Sequence, residues 1–327
     1  MRARHPSGIP PKLFLFTFIL LFLTIISTNI FATEAAGGRP ITGLQVVQYG
    51  AIIPPKPGWV VSVVPAIYSA SLGGNRQVPI GGQLVVNMDV DIFFPMFTGT
   101  RIWKTNTTRW NFASSFGFPL ADTNVDANVV LGPHAGERKD HLFTQYDLLF
   151  VPVVASYHIS KLEHVAFSMT VWAPTGDYQA SGRLANNGMN CWTFVPTFAY
   201  TRIWPTRGMS FDVNYGVGFY TENPDTNYKS GALSNLDLLF MKNFKGGFGI
   251  GPVFGWIQQY SRDQGALADR LPNGFKGHSF GVGPNFGYST KIGQNTDFSF
   301  TARVIGEFET KNRAKGWPIL LSANFVF

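Results

Sequence analysis

Residues 210–219 read S-F-D-V-N-Y-G-V-G-F. Phe211, Val213, Tyr215, Val217 and Phe219 hold one parity; Ser210, Asp212, Asn214, Gly216 and Gly218 hold the other. In an extended chain, successive side chains point to opposite faces, so this stretch is a strand with one apolar and one polar side. A half-buried sheet in a soluble protein gives the same pattern, and the decision therefore rests on repetition. Val86, Met88, Val90 and Ile92 alternate with Asn87, Asp89 and Asp91, and Trp110, Phe112, Phe116 and Phe118 alternate with polar or small residues. Phe298, Phe300, Ala302 and Val304 alternate with Asp297, Ser299, Thr301 and Arg303.

Strands of this kind are expected at 58–71, 86–102, 108–120, 142–157, 164–174, 191–203, 209–221, 230–242, 247–260, 276–290, 296–309 and 316–327. The connections at 103–107, 158–163, 204–208, 243–246 and 291–295 are short, and they alternate with longer ones at 72–85, 121–141, 175–190, 222–229 and 261–275. An even strand number with alternating short turns and long loops is the pattern of a transmembrane antiparallel β-barrel. The fold class expected is all-β, a barrel of about 12 strands.

Composition agrees. Of 327 residues only 14% are charged and 15% are aromatic, with 30 Phe, 35 Gly and one Cys. Soluble domains carry about 25% charged residues. A disordered chain is excluded by the 45% hydrophobic content. The single Cys191 excludes an internal disulfide and a cysteine-built zinc or iron–sulfur site. Beyond residue 31 no apolar run reaches the length a spanning helix needs.

The first twelve residues carry Arg2, Arg4 and Lys12, and an apolar stretch runs from Leu13 to Phe31 before the small residues Ala32, Ala35 and Ala36. A secretory signal peptide over 1–36 is the expectation, an uncleaved inner-membrane anchor the alternative; export followed by barrel formation then places the mature chain in the Gram-negative outer membrane. Removal of the signal peptide leaves a small, scattered positive excess, with no Lys/Arg run that would favour nucleic acid. Residues 37–57 carry Val46, Val47, Tyr49, Ile52 and Ile53 and end in P-P-K-P at 54–57. The segment is too apolar for a free periplasmic tail, which leaves either a plug folded into the barrel or a periplasmic segment packed under the rim. The barrel itself is expected over 58–327.

At the end of the chain Ile319, Leu321, Ala323, Phe325 and Phe327 take every second position. Such a strand, ending on an aromatic, resembles the signal read by the outer-membrane assembly machinery. Outer-membrane lipid is the other expected partner. Charge on the lipid face costs roughly 2–4 kcal/mol at the midplane for Lys or Arg, which assigns Asp89, Asp91, Asp147, Asp212, Asp237, Arg303 and Glu307 to the lumen. Gly247, Gly249, Gly251 and Gly255 share one face of their strand, as do Gly281, Gly283 and Gly287. These glycines make either a niche or the curvature that closure requires.

Trp172 to Tyr178 reads W-A-P-T-G-D-Y, and Asn187, Gly188, Asn190 and Trp192 follow in N-N-G-M-N-C-W. Y-T-E-N-P-D-T-N-Y spans Tyr220 to Tyr228, and G-F-K-G begins at Gly274. From about Pro54 to Phe327 the chain resembles the outer-membrane protein family associated with the meta-cleavage pathway of phenol degradation, which includes sphingosine-induced outer-membrane proteins. The resemblance implies a barrel that admits hydrophobic or aromatic small molecules by passive diffusion. Pro174, Thr175, Gly176 and Asp177 form a strand end entering a tight turn, and Asn187-Gly188 is a second turn in the same loop. The loop-motif and ligand-contact candidates are therefore Trp172, Pro174, Thr175, Gly176, Asp177, Tyr178, Asn187, Gly188, Asn190, Trp192, Tyr220 and Tyr228. Interfacial girdles use the same aromatics.

No enzyme is expected. No G-x-S-x-G motif occurs, and Ser279 falls on the opposite face from His278. His134 and His141 share a loop with Glu137 and Asp140 at a spacing that fits no metal site. No catalytic residue, metal or cofactor is assigned. Two other readings remain: a non-transporting barrel whose loops bind a partner or stabilise the envelope, and a membrane hydrolase.

Overall fold

The computed structural model describes residues 38–73, 77–131, 134–271 and 276–327. The signal peptide read over 1–36 lies outside the described residues. The barrel strands are β1 (Gly58–Leu72), β2 (Gln83–Ile102), β3 (Trp110–Leu131), β4 (Leu149–His158), β5 (Glu163–Trp172), β6 (Thr193–Trp204), β7 (Met209–Tyr220), β8 (Leu233–Asn243), β9 (Phe248–Gln259), β10 (His278–Ile292), β11 (Thr296–Val304) and β12 (Ile319–Val326). Each pairs antiparallel with its sequence neighbours, and β1 pairs with both β2 and β12, closing the ring of twelve. At the seam the Trp59 amide donates to the Phe327 carbonyl (2.7 Å), and the Phe327 amide donates back to Trp59 (3.0 Å).

The outer wall is apolar. Val61, Phe93, Phe97, Phe116, Phe118, Phe194, Phe219, Phe240, Ile250, Val282, Phe286 and Phe300 are all large hydrophobics exposed on strands. No water-soluble monomer sustains such a continuous apolar surface. Closure satisfies the ladder hydrogen bonds within the wall, the condition for a β-structure to span hydrocarbon. The chain is an outer-membrane β-barrel. Short turns, which face the periplasm in such barrels, are tightened by glycines with positive φ at Gly208 (59°), Gly246 (90°), Gly247 (87°) and Gly293 (64°). Trp59, Trp103, Trp110, Phe244 and Phe248 are exposed around this end, as an interfacial girdle.

Two expectations are corrected at the other end. Residues 121–131 and 134–141 are a paired extension of the wall, not a loop: β3 continues to Leu131 and pairs with a strand at His134–Gln145, from Leu120↔Gln145 to Leu131↔His134. The loop reading came from its outer face, where Asp122, Asn124 and Asp126 stand clear of the hydrocarbon, while Ala121, Thr123, Val125, Ala127 and Val129 are buried inside. The strand expected at 142–157 is broken at 146–148. Between Leu120↔Gln145 and Gly117↔Leu149 one side has an extra residue, a bulge that re-aims the chain.

Asp89 and Asp91, assigned above to the lumen, stand on the outside of β2. The register shift between Val86 and Asp89, with Asn87 at a positive φ of 48°, falls before them. From Met88 to Ile102 the pairing with β1 is unbroken, so both aspartates share the outward parity of Phe93 and Phe97. The physical reason is that the inner face of β2 is apolar here. Met88, Val90, Ile92, Phe94 and Met96 turn inward instead. The two aspartates escape the lipid penalty because they lie near the extracellular end, opposite Ser71 and Ser69 on β1 and Asp126 and Asn124 on β3.

Under the extracellular connections, Leu72, Val78, Ile80, Val85, Met88, Val125, Val129, Leu184 and Leu271 form one buried cluster that caps the barrel.

Candidate functional site

Residues 38–57 run through the lumen, from the extracellular connections to the turn end, as a strap held to one side of the wall. Leu44 and Val46 pack on Leu239, Met241, Val253 and Ile305, and polar groups do the rest. The Gly43, Gln45 and Val46 amides donate to the Asp237 carboxylate at 3.3, 2.7 and 3.3 Å. The Tyr49 amide donates to Asp212 at 2.8 Å, and Thr201 and Ser210 hydroxyls donate to the same carboxylate at 2.7 and 3.2 Å. Thr42 Oγ1 donates to Glu307 at 2.5 Å, and Tyr68 donates to the other Glu307 oxygen at 2.8 Å.

The strap's carbonyls serve the cations. Arg303 Nη1 donates to Gly43 O at 2.7 Å, with Nε on Asn285 (2.9 Å), and Arg313 Nη2 donates to Pro40 O at 3.1 Å. Burial pushes the Arg313 pKa down, opposed by Tyr68 and Glu307. Near the turn end, the Ala51 amide donates to Thr201 (3.2 Å) and Ser156 donates to Ala51 O (2.7 Å). Room for the strap comes from a missing side chain: a Cβ on Gly255 would sit 2.2 Å from the Gly43 nitrogen. At Gly251 and Gly283 a Cβ would instead meet the carbonyls of Phe240 and Val304 at 1.7 Å, so these two admit close strand approach.

The bulge at 146–148 turns Asp147 inward, fully buried, where it organises the extracellular end. Arg39 Nη2 donates to it at 2.7 Å; the amides of Thr175, Gly176 and Met189 donate at 3.0, 2.8 and 2.9 Å. Gly176 and Gly188 stack where no side chain fits: a Cβ on Gly176 would lie 2.0 Å from Asn187 O, and one on Gly188 3.0 Å from Gly176. Asn187 is buried and donates through Nδ2 to Ala121 O (2.7 Å), Leu142 O (3.1 Å) and Thr144 Oγ1 (3.2 Å), while Thr123 donates to its Oδ1 at 2.7 Å. Asp177 pairs with Arg183 at 2.7 Å, and Asn190 donates to Asn223 at 2.9 Å. The connection between β5 and β6 is thus folded inward as a lid.

Between strap, lid and the opposite wall lies a cavity of about 620 Å³. Val64, Ala66 and Tyr68 of β1, Met88, Val90, Ile92, Phe94 and Met96 of β2, Leu320 of β12, and Tyr146, Trp172, Tyr178, Leu184 and Met189 near the lid line it. Toward the turn end its lining changes to the uncharged polar groups Ser62, Thr98, Ser322 and Asn324. Among the described residues its charged lining is Arg39, Arg303 and Arg313, with no carboxylate. The Arg39 guanidinium lies over the Trp172 and Tyr146 rings, 4.9 and 5.5 Å from their centroids, a cation–π arrangement.

Asp147, Asp212, Asp237, Arg303 and Glu307 all face inward and are buried, the acids behind the strap rather than on the cavity. Of the loop aromatics, Trp172 and Tyr178 reach the cavity. Tyr220 and Tyr228 are buried in the loop layer; Tyr220 accepts from the Arg39 amide and Tyr228 donates to Asp263. Trp192 points outward and stacks on Phe194. Pro174 introduces the lid turn, and Thr175 Oγ1 accepts from the Leu148 amide at 2.9 Å. The β2 lining, Tyr146, Arg39 and Arg313 were missed from the sequence. One signal for them existed, since Ile92, Phe93, Phe94, Met96 and Phe97 make β2 apolar on both parities.

The COG4313 outer membrane channel from Pseudomonas putida F1 has a TM-score of 0.68 and 14% identity, covering 86% of this chain and 100% of that one. A Pseudomonas aeruginosa FadL homologue aligns with a TM-score of 0.44 and 10% identity over 92% of this chain and 99% of that one. At these identities the first likeness is one of fold. No curated protein sequence matches the chain. A family model described as "Putative MetA-pathway of phenol degradation" matches residues 74–322. With most of its length matched, the chain belongs to this MetA-pathway family of phenol degradation.

Proposed function

We propose that the protein is a passive outer-membrane passage for small apolar molecules, aromatic ones included. The observation that carries this reading is the cavity of about 620 Å³ walled by Val64, Ala66, Ile92, Phe94, Met96 and Trp172. Ligand sites for small molecules fall in the range of about 300–1,000 Å³ and are mostly apolar with a few placed polar groups. A solute entering under the lid exchanges water for an apolar wall, and then meets the Ser62, Thr98, Ser322 and Asn324 end before release. The shift from apolar to neutral polar lining weakens retention at the exit, as passive diffusion requires. Membership of a family named for phenol degradation supports an aromatic cargo.

The test is flux into liposomes carrying the purified protein. Small aromatic solutes are expected to cross faster than in protein-free liposomes, and faster than polar solutes of equal size. Equal rates with and without protein would refute transport and leave a barrel whose loops bind a partner.

A further inference from the structure

We propose that the strap sets the sign of charge the lumen presents to a solute: seated, it hides the barrel's acids; unseated, it leaves an acidic, cation-attracting pore. Among the described residues six buried charged side chains of the wall and connections meet the strap: Asp147, Asp212, Asp237, Glu307, Arg303 and Arg313, while Asp263 is held within the loop layer by Tyr228 and Gly231. Each of the six has a strap partner. Arg39 takes Asp147, the Tyr49 amide takes Asp212, three amides take Asp237, and the Thr42 hydroxyl takes Glu307. Gly43 O and Pro40 O take Arg303 and Arg313.

Geometry makes the cover asymmetric. The acids lie behind the strap, whereas Arg303 and Arg313 also border the cavity, joined by the strap's own Arg39. With the strap seated, the cavity therefore meets guanidinium groups and no carboxylate. Lifting the strap removes Arg39 and uncovers four acids against two arginines. A narrow, low-dielectric pore focuses the field of such residual charge and enriches counter-ions. A lumen cleared of uncompensated acid suits neutral solutes, but the inference stands on ion selectivity alone and does not depend on the cargo proposed above.

Gly255 provides the test in the full-length chain, because any side chain there meets the strap backbone at Gly43. Gly255→Val and a chain lacking residues 38–53 are each recorded in planar bilayers under a potassium chloride gradient. In the full-length chains seating is read from thiol labelling of a Val46→Cys reporter, a position buried against Leu239 and Met241 when the strap is seated. The native barrel should show no cation preference. Each unseated barrel should show a cation-over-anion permeability ratio raised several-fold, and adding Asp212→Asn with Asp237→Asn should reverse most of that rise. A ratio that stays at the native value, or moves toward anions, in either unseated barrel overturns the proposal. So does a native barrel already as cation-selective as the unseated ones. Should Gly255→Val fail to insert, the truncated chain decides by the same ratios.

Discussion

Arg39 Nη2 and Asp147 Oδ2 lie 2.7 Å apart with almost no solvent access to either side chain. This pair joins the strap to the lid, because the same carboxylate holds the Thr175, Gly176 and Met189 amides. Strap and lid thus share one anchor, and disturbing either is felt by both.

Asp147→Ala leaves Arg39 buried without its carboxylate and frees three lid amides. Removing one partner of a buried pair costs about 3–5 kcal/mol. The variant should unfold at lower urea concentration in detergent micelles, and its lid should become sensitive to protease. An unchanged unfolding midpoint would show that the pair adds nothing to the folded barrel.

Gly176→Ala tests the lid without touching charge. Its methyl would meet Asn187 O and displace the Asn187 side chain from its partners on β3 and the adjoining extension. Overpacking of this type costs about 1–3 kcal/mol. Limited proteolysis should cut within 173–192 in the variant and spare the native chain.

Ala66→Trp fills the cavity from the β1 wall, where Ala66 is buried and lines the lumen. Aromatic flux into liposomes should fall sharply, while the heat-modifiable gel shift of the folded barrel is retained. Undiminished flux would place the route elsewhere.

Asp89→Ala should leave both flux and stability nearly untouched, within about 0.5 kcal/mol, as for a surface substitution. A lumen position would behave differently, so a marked change in flux would contradict the outward placement of Asp89.

Deleting Phe327 removes the residue whose backbone closes the seam against Trp59 and whose aromatic side chain follows the last strand. The outer-membrane yield of folded protein should drop, measured by fractionation against the native chain. Native yield would argue against a role for this residue in assembly.

Much of the barrel was legible because its physics is local. In β7, Phe211 to Phe219 facing lipid and Ser210 to Gly218 facing inward follow from alternation alone, and the turn glycines mark where strands end. Legibility fails where the inner face is itself apolar: Met88, Val90 and Ile92 line the cavity, so the polar parity of β2 that carries Asp89 and Asp91 faces out, the reverse of the polar-in rule. The paired extension beyond β3 was read as a loop because polar outer residues carry no lipid signal above the bilayer.

What the sequence determined by itself was the class: twelve alternating strands, an apolar exterior, and a turn-rich loop motif around Gly176 and Gly188; that these two glycines must lack a side chain follows only from their packing on Asn187 and on each other. The tertiary structure alone decided which charges meet, because the partners of Asp147, Asp212, Asp237 and Glu307 lie on a strap more than 90 residues away in the chain. A wall turned inward is polar where the strap covers it and apolar along the extracellular part of β1 and β2, where it lines open space. Alternation fixes which face a side chain takes, but only closure of the ring fixes what that face looks upon.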